Sequence, residues 1–156
     1  MKHNRLLAVL ATLILTIIAV ASCKHKPIDP DDTRPGRIVT ELYADSVPKA
    51  VIFYKLDENG KMTDEKIREV NYYPNKQKYV EANYKDGLKD GEWKSYREDG
   101  KLWSEHHYVQ GKEDGDYKTY HENGKLFIDG HYKDGKEVGT WIFYDKNGTV
   151  RKRINY

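Results

Sequence analysis

Four histidines, His106, His107, His121 and His131, and four aspartates, Asp86, Asp90, Asp114 and Asp116, are the side chains of this chain that could hold a metal or carry a proton. His107 and His131 stand 24 residues apart in equivalent surroundings. If 24 residues make one hairpin, the two lie two strands apart, roughly 9–10 Å at about 4.8 Å per strand. Zinc takes its imidazole nitrogens at about 2.0–2.1 Å, so that separation does not suit one ion. His106 and His107 are adjacent, and neighbours on a strand point to opposite faces. The aspartates sit among glycines, where Asp is an ordinary turn former. Gly87-x-x-x-Gly91 is followed by no Gly-Lys-Ser/Thr, so it is turn spacing and not a phosphate loop. No serine or cysteine stands in a nucleophile motif. These patterns argue against an enzyme, and neither a metal nor a cofactor is expected.

The elements that must position these residues repeat. From Tyr84 the chain runs through Gly87, Gly91, Trp93, Tyr96, Gly100 and Leu102. From Tyr108 it runs through Gly111, Gly115, Tyr117, Tyr120, Gly124 and Leu126, and from Tyr132 through Gly135, Gly139, Trp141, Tyr144, Gly148 and Val150. A fixed period in this range marks an array in which each unit buries its apolar face against its neighbours. The reading is all-β: an elongated antiparallel meander of hairpins, with repeats 84–107, 108–131 and 132–155 inside an array over 73–156.

Glu98-Asp99-Gly100, Glu122-Asn123-Gly124 and Lys146-Asn147-Gly148 read as three-residue hairpin loops, a type I turn closed by a left-handed glycine. That loop sets Tyr96 opposite Leu102, Tyr120 opposite Leu126 and Tyr144 opposite Val150. Strict alternation then adds Tyr108, Tyr132 and Tyr156 to a Tyr/Leu core seam. It places Trp93, Trp103, Tyr117, Phe127 and Trp141 on the other face, flanked by Glu105, His107, Asp129 and His131. This strip is the candidate binding surface, for a protein or for a glycan, because aromatics are enriched at interfaces. Residues 73–84 match the second half of a repeat one residue short; the turn glycine is missing, and Asn75 is expected at the positive φ. Residues 37–72 read as a degenerate repeat of short strands, with Lys66–Tyr73 a strand although Asp64-Glu65-Lys66 favours helix.

Ahead of the array, a basic start (Lys2, Arg5) precedes a 16-residue uncharged run, Leu6–Ala21, which suits the apolar part of a secretory signal better than a membrane span. It ends Val20-Ala21-Ser22-Cys23, which resembles a bacterial lipobox, making residues 1–22 a signal peptide and Cys23 the lipid attachment site. Cys23 is the single cysteine, so no intramolecular disulfide is possible. Residues 23–36 carry Pro27, Pro30 and Pro35 among aspartates and read as a tether. The whole chain has 27 Lys+Arg and 25 Asp+Glu; removing residues 1–22 takes away Lys2 and Arg5 and leaves 25 of each. That balance argues against nucleic acid as a partner.

The pattern Tyr-x-x-Gly-Lys…Gly-x-Trp-x-x-Tyr…Asn-Gly-Lys-Leu resembles the bacterial variant of the MORN repeat (membrane occupation and recognition nexus). The likeness covers Tyr73–Tyr156 well and Val51–Tyr73 loosely. It implies protein interaction or membrane association and no catalytic residues; some bacterial members carry an antitoxin-like label. The expected protein is a membrane-anchored, non-catalytic interaction module at the cell envelope, on the periplasmic side of the outer membrane where the source has two membranes. A cell-wall or glycan binder is the alternative and an antitoxin-like neutralising protein the second. Cys23→Ser should abolish palmitate incorporation and leave a precursor that keeps residues 1–22; unchanged labelling would refute lipidation at this site.

Overall fold

The computed structural model describes residues 34–156; the expected signal segment, Cys23 and the expected tether up to Thr33 lie outside the described residues. Ten strands form one sheet in chain order: β1 (Arg37–Leu42), β2 (Pro48–Leu56), β3 (Met62–Tyr72), β4 (Lys78–Lys85), β5 (Leu88–Tyr96), β6 (Leu102–Val109), β7 (Lys112–Tyr120), β8 (Leu126–Lys133), β9 (Lys136–Tyr144) and β10 (Val150–Asn155). Every pairing is antiparallel. The all-β meander read from the repeats is the fold observed, and Thr63–Val70 lies within a strand.

From β3 onward two kinds of loop alternate, whereas the loops after β1 and β2 are both of the three-residue kind. At one end of the strands the Arg97 N–H donates to the Lys101 carbonyl (2.8 Å) and the Gly100 N–H to the Arg97 carbonyl (2.8 Å), with Gly100 at φ +82°. This is the expected three-residue loop, and it pairs Tyr96 with Leu102, Tyr120 with Leu126 and Tyr144 with Val150 as anticipated. At the other end Asp86-Gly87, Gln110-Gly111 and Asp134-Gly135 have both residues at positive φ, the two-residue turn whose twist matches that of the strands.

The loop at Pro74-Asn75-Lys76 corrects one expectation. Its hydrogen bonds, Tyr73 N–H to Gln77 O (2.8 Å) and Lys76 N–H to Tyr73 O (3.0 Å), are those of the Gly100 loop. Lys76, not Asn75, takes the positive φ, at 73°. No residue is missing, because Tyr72 stands 24 before Tyr96 and Lys76 stands 24 before Gly100. Asn75 instead uses its amide to donate to the Glu98 carbonyl of the next loop (2.7 Å).

That bond belongs to a ladder running from loop to loop. The Tyr43 hydroxyl donates to Tyr72 O (2.8 Å), the Tyr73 hydroxyl to Tyr96 O (3.1 Å) and the Arg97 guanidinium to Tyr120 O (2.8 Å), while His121 Nε2 meets Tyr144 O at 2.9 Å. At the opposite end the Gly111 and Gly135 N–H groups donate to the carbonyls of Lys89 and Glu113, both at 2.8 Å. Asp90 and Asp114 accept the N–H groups of Gln110 (3.1 Å) and Asp134 (3.3 Å). Of the four aspartates only Asp86 sits in a turn; Asp90 and Asp114 lie in β5 and β7 and tie the strand to the next turn, and Asp116 is also a residue of β7.

A recurring bulge corrects the facial assignment. Ser95 pairs with Ser104 and Tyr96 with Leu102, so Trp103 is an extra residue on β6. Tyr79, Phe127 and Arg151 are the equivalent extra residues on β4, β8 and β10. A bulge sets two residues of one strand against one of its partner, so alternation is broken between Leu102 and Ser104. Beyond it Tyr108, Tyr132 and Tyr156 fall on the side of Trp93, Tyr117 and Trp141, and no continuous Tyr/Leu seam forms. The seam is not the core: Leu102 and Leu126 are half-buried. Burial is concentrated in Val51, Phe53, Val70 and Tyr72 with Val39 packed against them, and in Ala82, Tyr108 and Trp141 along the repeats.

Trp141 lies over the backbone of Gly130, where an added Cβ would come within 2.4–2.7 Å of the indole carbons. Gly130→Ala should therefore displace the ring, lowering stability by about 1–3 kcal/mol and weakening the near-UV circular dichroism. At Gly124 a Cβ would meet nothing within 4 Å, but φ is +80°. Gly124→Val should cost on the order of 1–3 kcal/mol through backbone strain, with the near-UV signal kept. Urea melts followed by both probes check the pair.

Candidate binding surface

On the Trp side of the sheet two aromatic rows run across the strands. The inner row packs ring on ring. Trp93 lies 5.3 Å from Tyr108 and 5.8 Å from His106, and His106 meets Tyr117 edge-on at 4.6 Å. Tyr117 and Tyr132 each lie 5.1 Å from Trp141. Such pairs contribute about 0.5–1.5 kcal/mol each beyond area burial. Lys89 Nζ sits 3.2 Å from the centre of the Trp93 ring. Burial pushes the Tyr108 phenol well above its ordinary range, with the Glu113 charge adding to it, and pushes Tyr132 up to about 12. Glu113 also pairs with His106 Nδ1 at 2.7 Å, so it ties the row together.

The outer row is made by the bulges. Tyr79, Trp103 and Phe127 are 46%, 49% and 40% exposed. Each is backed by the residue at the start of its loop: Tyr73 lies 5.0 Å from Tyr79, the Arg97 guanidinium 5.9 Å from Trp103, and His121 4.7 Å from Phe127. Between the rows the floor is small and polar. Ser95, Ser104 and Thr119 are cross-strand neighbours and buried, and the two serine hydroxyls meet at 2.6 Å. Thr119 Oγ1 has no hydrogen-bond partner. The space between the rows is a cleft of about 310 Å³, lined by Tyr79, Trp93, Trp103 and Tyr117 above that floor.

The five aromatics read from the sequence, Trp93, Trp103, Tyr117, Phe127 and Trp141, do lie on one side, but in two rows of different character. Trp141 is 4% exposed and belongs to the interior. His107 and His131 lie on the opposite face, where they pair across strands with Glu92 and Asp116. Glu105 and Asp129 are there too, opposite Lys94 and Lys118. The cause is the bulge: with Trp103 and Ser104 on one side, every later residue of β6 changes face. Tyr79 escaped the sequence reading, although it stands 24 residues before Trp103.

The opposite face carries a row of alternating charge, Glu81–Lys94–Glu105–Lys118–Asp129, each beside the next on adjacent strands. The Tyr96 and Tyr120 hydroxyls donate to Glu81 and Glu105. Arg68 and Lys78 reach Glu81 at 2.7 and 3.0 Å. His107 Nδ1 contacts the Asp114 carbonyl (2.7 Å), and His131 contacts the Asp116 carboxylate (3.1 Å). A shallow space of about 520 Å³ beside them is lined by both signs of charge, including Glu92, Lys94, Asp116 and Lys118. Among the described residues no three His, Cys, Asp or Glu side chains converge as a metal ion would require.

A single-layer sheet extended by equivalent hairpins, with its distinctive side chains spread along a surface, defines a repeat protein that works by display. The chain belongs to the MORN repeat variant family: the repeat matches at residues 68–86, 89–110, 113–134 and 137–156, a little over half of the chain. Repeats of this family are generally protein- or membrane-binding modules rather than enzymes. No match is found among curated proteins.

The charged face generates a pH dependence. Burial alone raises the Glu81 carboxyl, but hydrogen bonds from Tyr96, Arg68 and Lys78 together outweigh it and hold the group at about 2, against an ordinary value of 4.5. A carboxylate lowered on folding contributes stability above its unfolded value and loses it as pH falls through the folded one. Thermal stability should therefore fall as pH drops from about 5 to about 2, and Glu81→Gln should flatten that slope while lowering stability at pH 7. An unchanged slope in the variant would show that Glu81 is not the titrating group.

Proposed function

We propose that the chain is a membrane-anchored, non-catalytic interaction module of the cell envelope whose protein partner docks on the outer aromatic row and the cleft beside it. The observation that carries this reading is the exposure of Tyr79, Trp103 and Phe127, each set outward by the same bulge at a 24-residue spacing. Large rings held half in water contribute little to the fold, and contiguous exposed apolar surface marks interaction sites. The signal-like leader and Cys23 support anchoring through lipid, and the neutral charge balance after residue 22 gives no basis for nucleic acid. In a two-membrane source the outer membrane, facing the periplasm, is the proposed location. Rings above a hydroxyl floor also favour the second reading, a cell-wall or glycan ligand. An antitoxin-like role fits an exported chain poorly.

Trp103→Ser with Phe127→Ser should shift unfolding by no more than about 0.5 kcal/mol, as surface changes do. A photo-crosslinking amino acid at position 79, 103 or 127 should capture a discrete protein in intact cells, whereas the same group at His107 or His131 should not. Capture confined to His107 and His131 would move the surface to the charged face. Retention on insoluble cell wall that is lost in the double variant would favour the glycan reading.

A further inference from the structure

Three properties of the cleft specify a ligand more narrowly than surface exposure does. Its outer wall has a regular repeat: successive rings come from every second strand, roughly 9–10 Å apart at about 4.8 Å per strand. It is also a slot and not a platform, because Tyr79 and Trp103 on one side and Trp93 and Tyr117 on the other line the same space. Finally, hydroxyls lie along its floor, with the buried Thr119 Oγ1 lacking any partner.

A polyproline II helix meets all three. It has three residues per turn and rises about 3.1 Å per residue, so equivalent side chains recur at about 9.3 Å. Prolines three residues apart would then pack against the consecutive rings Tyr79 and Trp103 that wall the cleft, with Phe127 continuing the row beyond it. The helix makes no internal hydrogen bonds, which leaves its carbonyls for the Trp103 indole N–H and the floor hydroxyls. It is also stiff before binding, so little ordering cost opposes the contact. A flat ring stacks on an open platform, whereas a rounded rib fits between two walls; aromatic-lined grooves are a known mode of proline-rich recognition. The cleft runs from β4 to β7, roughly 14 Å at about 4.8 Å per strand step, room for about four or five residues at 3.1 Å each.

We propose that the cleft binds a proline-rich segment of a partner protein in the polyproline II conformation. This rests on the aromatic row being the binding surface and adds the chemistry of its ligand. The test is a titration of the full chain in detergent micelles with a ten-residue oligoproline, followed by tryptophan fluorescence. A Gly/Ser peptide of equal length and chitohexaose serve as the other two probes. Oligoproline should bind saturably and the Gly/Ser peptide should not. Trp103→Ser and Tyr79→Ser should each weaken binding by about 10-fold or more, as loss of a central aromatic does. Leu88→Ser, an exposed apolar change at the far end of the hairpins, should leave it unchanged. Absence of saturable oligoproline binding, or binding indifferent to Trp103→Ser and Tyr79→Ser, overturns the proposal. Chitohexaose binding in place of oligoproline overturns it and assigns the cleft to glycan. If crosslinking from positions 79, 103 and 127 still captures a protein after oligoproline fails, the surface stands and the ligand class falls; if both fail, neither stands.

Discussion

Among the described residues the sheet has no second layer, so its apolar face has nothing to bury against except itself. In this chain that constraint is met twice. On one side aromatic rings pack tilted or edge-on against each other, and Trp141 lies over Gly130. On the other, carboxylates and ammonium groups alternate strand by strand, and tyrosine hydroxyls donate to two of the carboxylates. Neither side resembles the interior of a two-layer domain. The nearest approach to one is the Val51, Phe53, Val70 and Tyr72 cluster at the N-terminal strands. Stability in such an array is a sum of nearest-neighbour terms, so every hairpin must carry its own share.

The bulge links packing to function. Pairing requires one residue per position, and the extra residue of each bulge has no cross-strand partner to face. Its side chain is therefore released from the pattern that buries the others. In β4, β6 and β8 the released residue is aromatic; in β10 it is Arg151. A device that strengthens strand twist also sets a row of rings into water at a regular interval. The inner row, by contrast, is committed to cohesion, with Tyr108 and Trp141 almost wholly covered.

The repeat, the strand class, the three-residue loops and the Tyr96–Leu102 register were legible because each depends on local residue types: glycine at a left-handed position, and tyrosine and leucine at fixed distances from it. The faces were not legible. A bulge leaves no signature in composition, and the one at Trp103 reverses the direction of every later side chain in β6, which is why His107 and Glu105 lie away from the strip. The loop at Lys76 was misread for a related reason. Lysine is a poor choice for positive φ, and the physical clue lay not in the loop but in the 24-residue distance from Tyr72 to Tyr96. Tyr79 follows from the same offset.

The loop ladder has a direction. At the first position of successive loops stand Tyr43, Tyr73, Arg97 and His121, each reaching forward to a carbonyl of the following loop. In the loop between β9 and β10 that position is Asp145, which cannot reach a carbonyl as a donor. Its carboxylate turns inward, accepting the N–H groups of Asn147 and Thr149 at 2.9 Å and pairing with Arg151 at 3.0 Å. The series thus contains its own punctuation. A hairpin copied in front of Asp145 finds a hand extended to it and offers one in turn, while a hairpin placed behind it finds only the Asn147 amide, the counterpart of the Asn123 amide that donates to Lys146 O at 2.7 Å. Lengthening by duplication therefore keeps both rungs of the ladder when a hairpin is copied ahead of this loop, and only the asparagine rung when it is added after it.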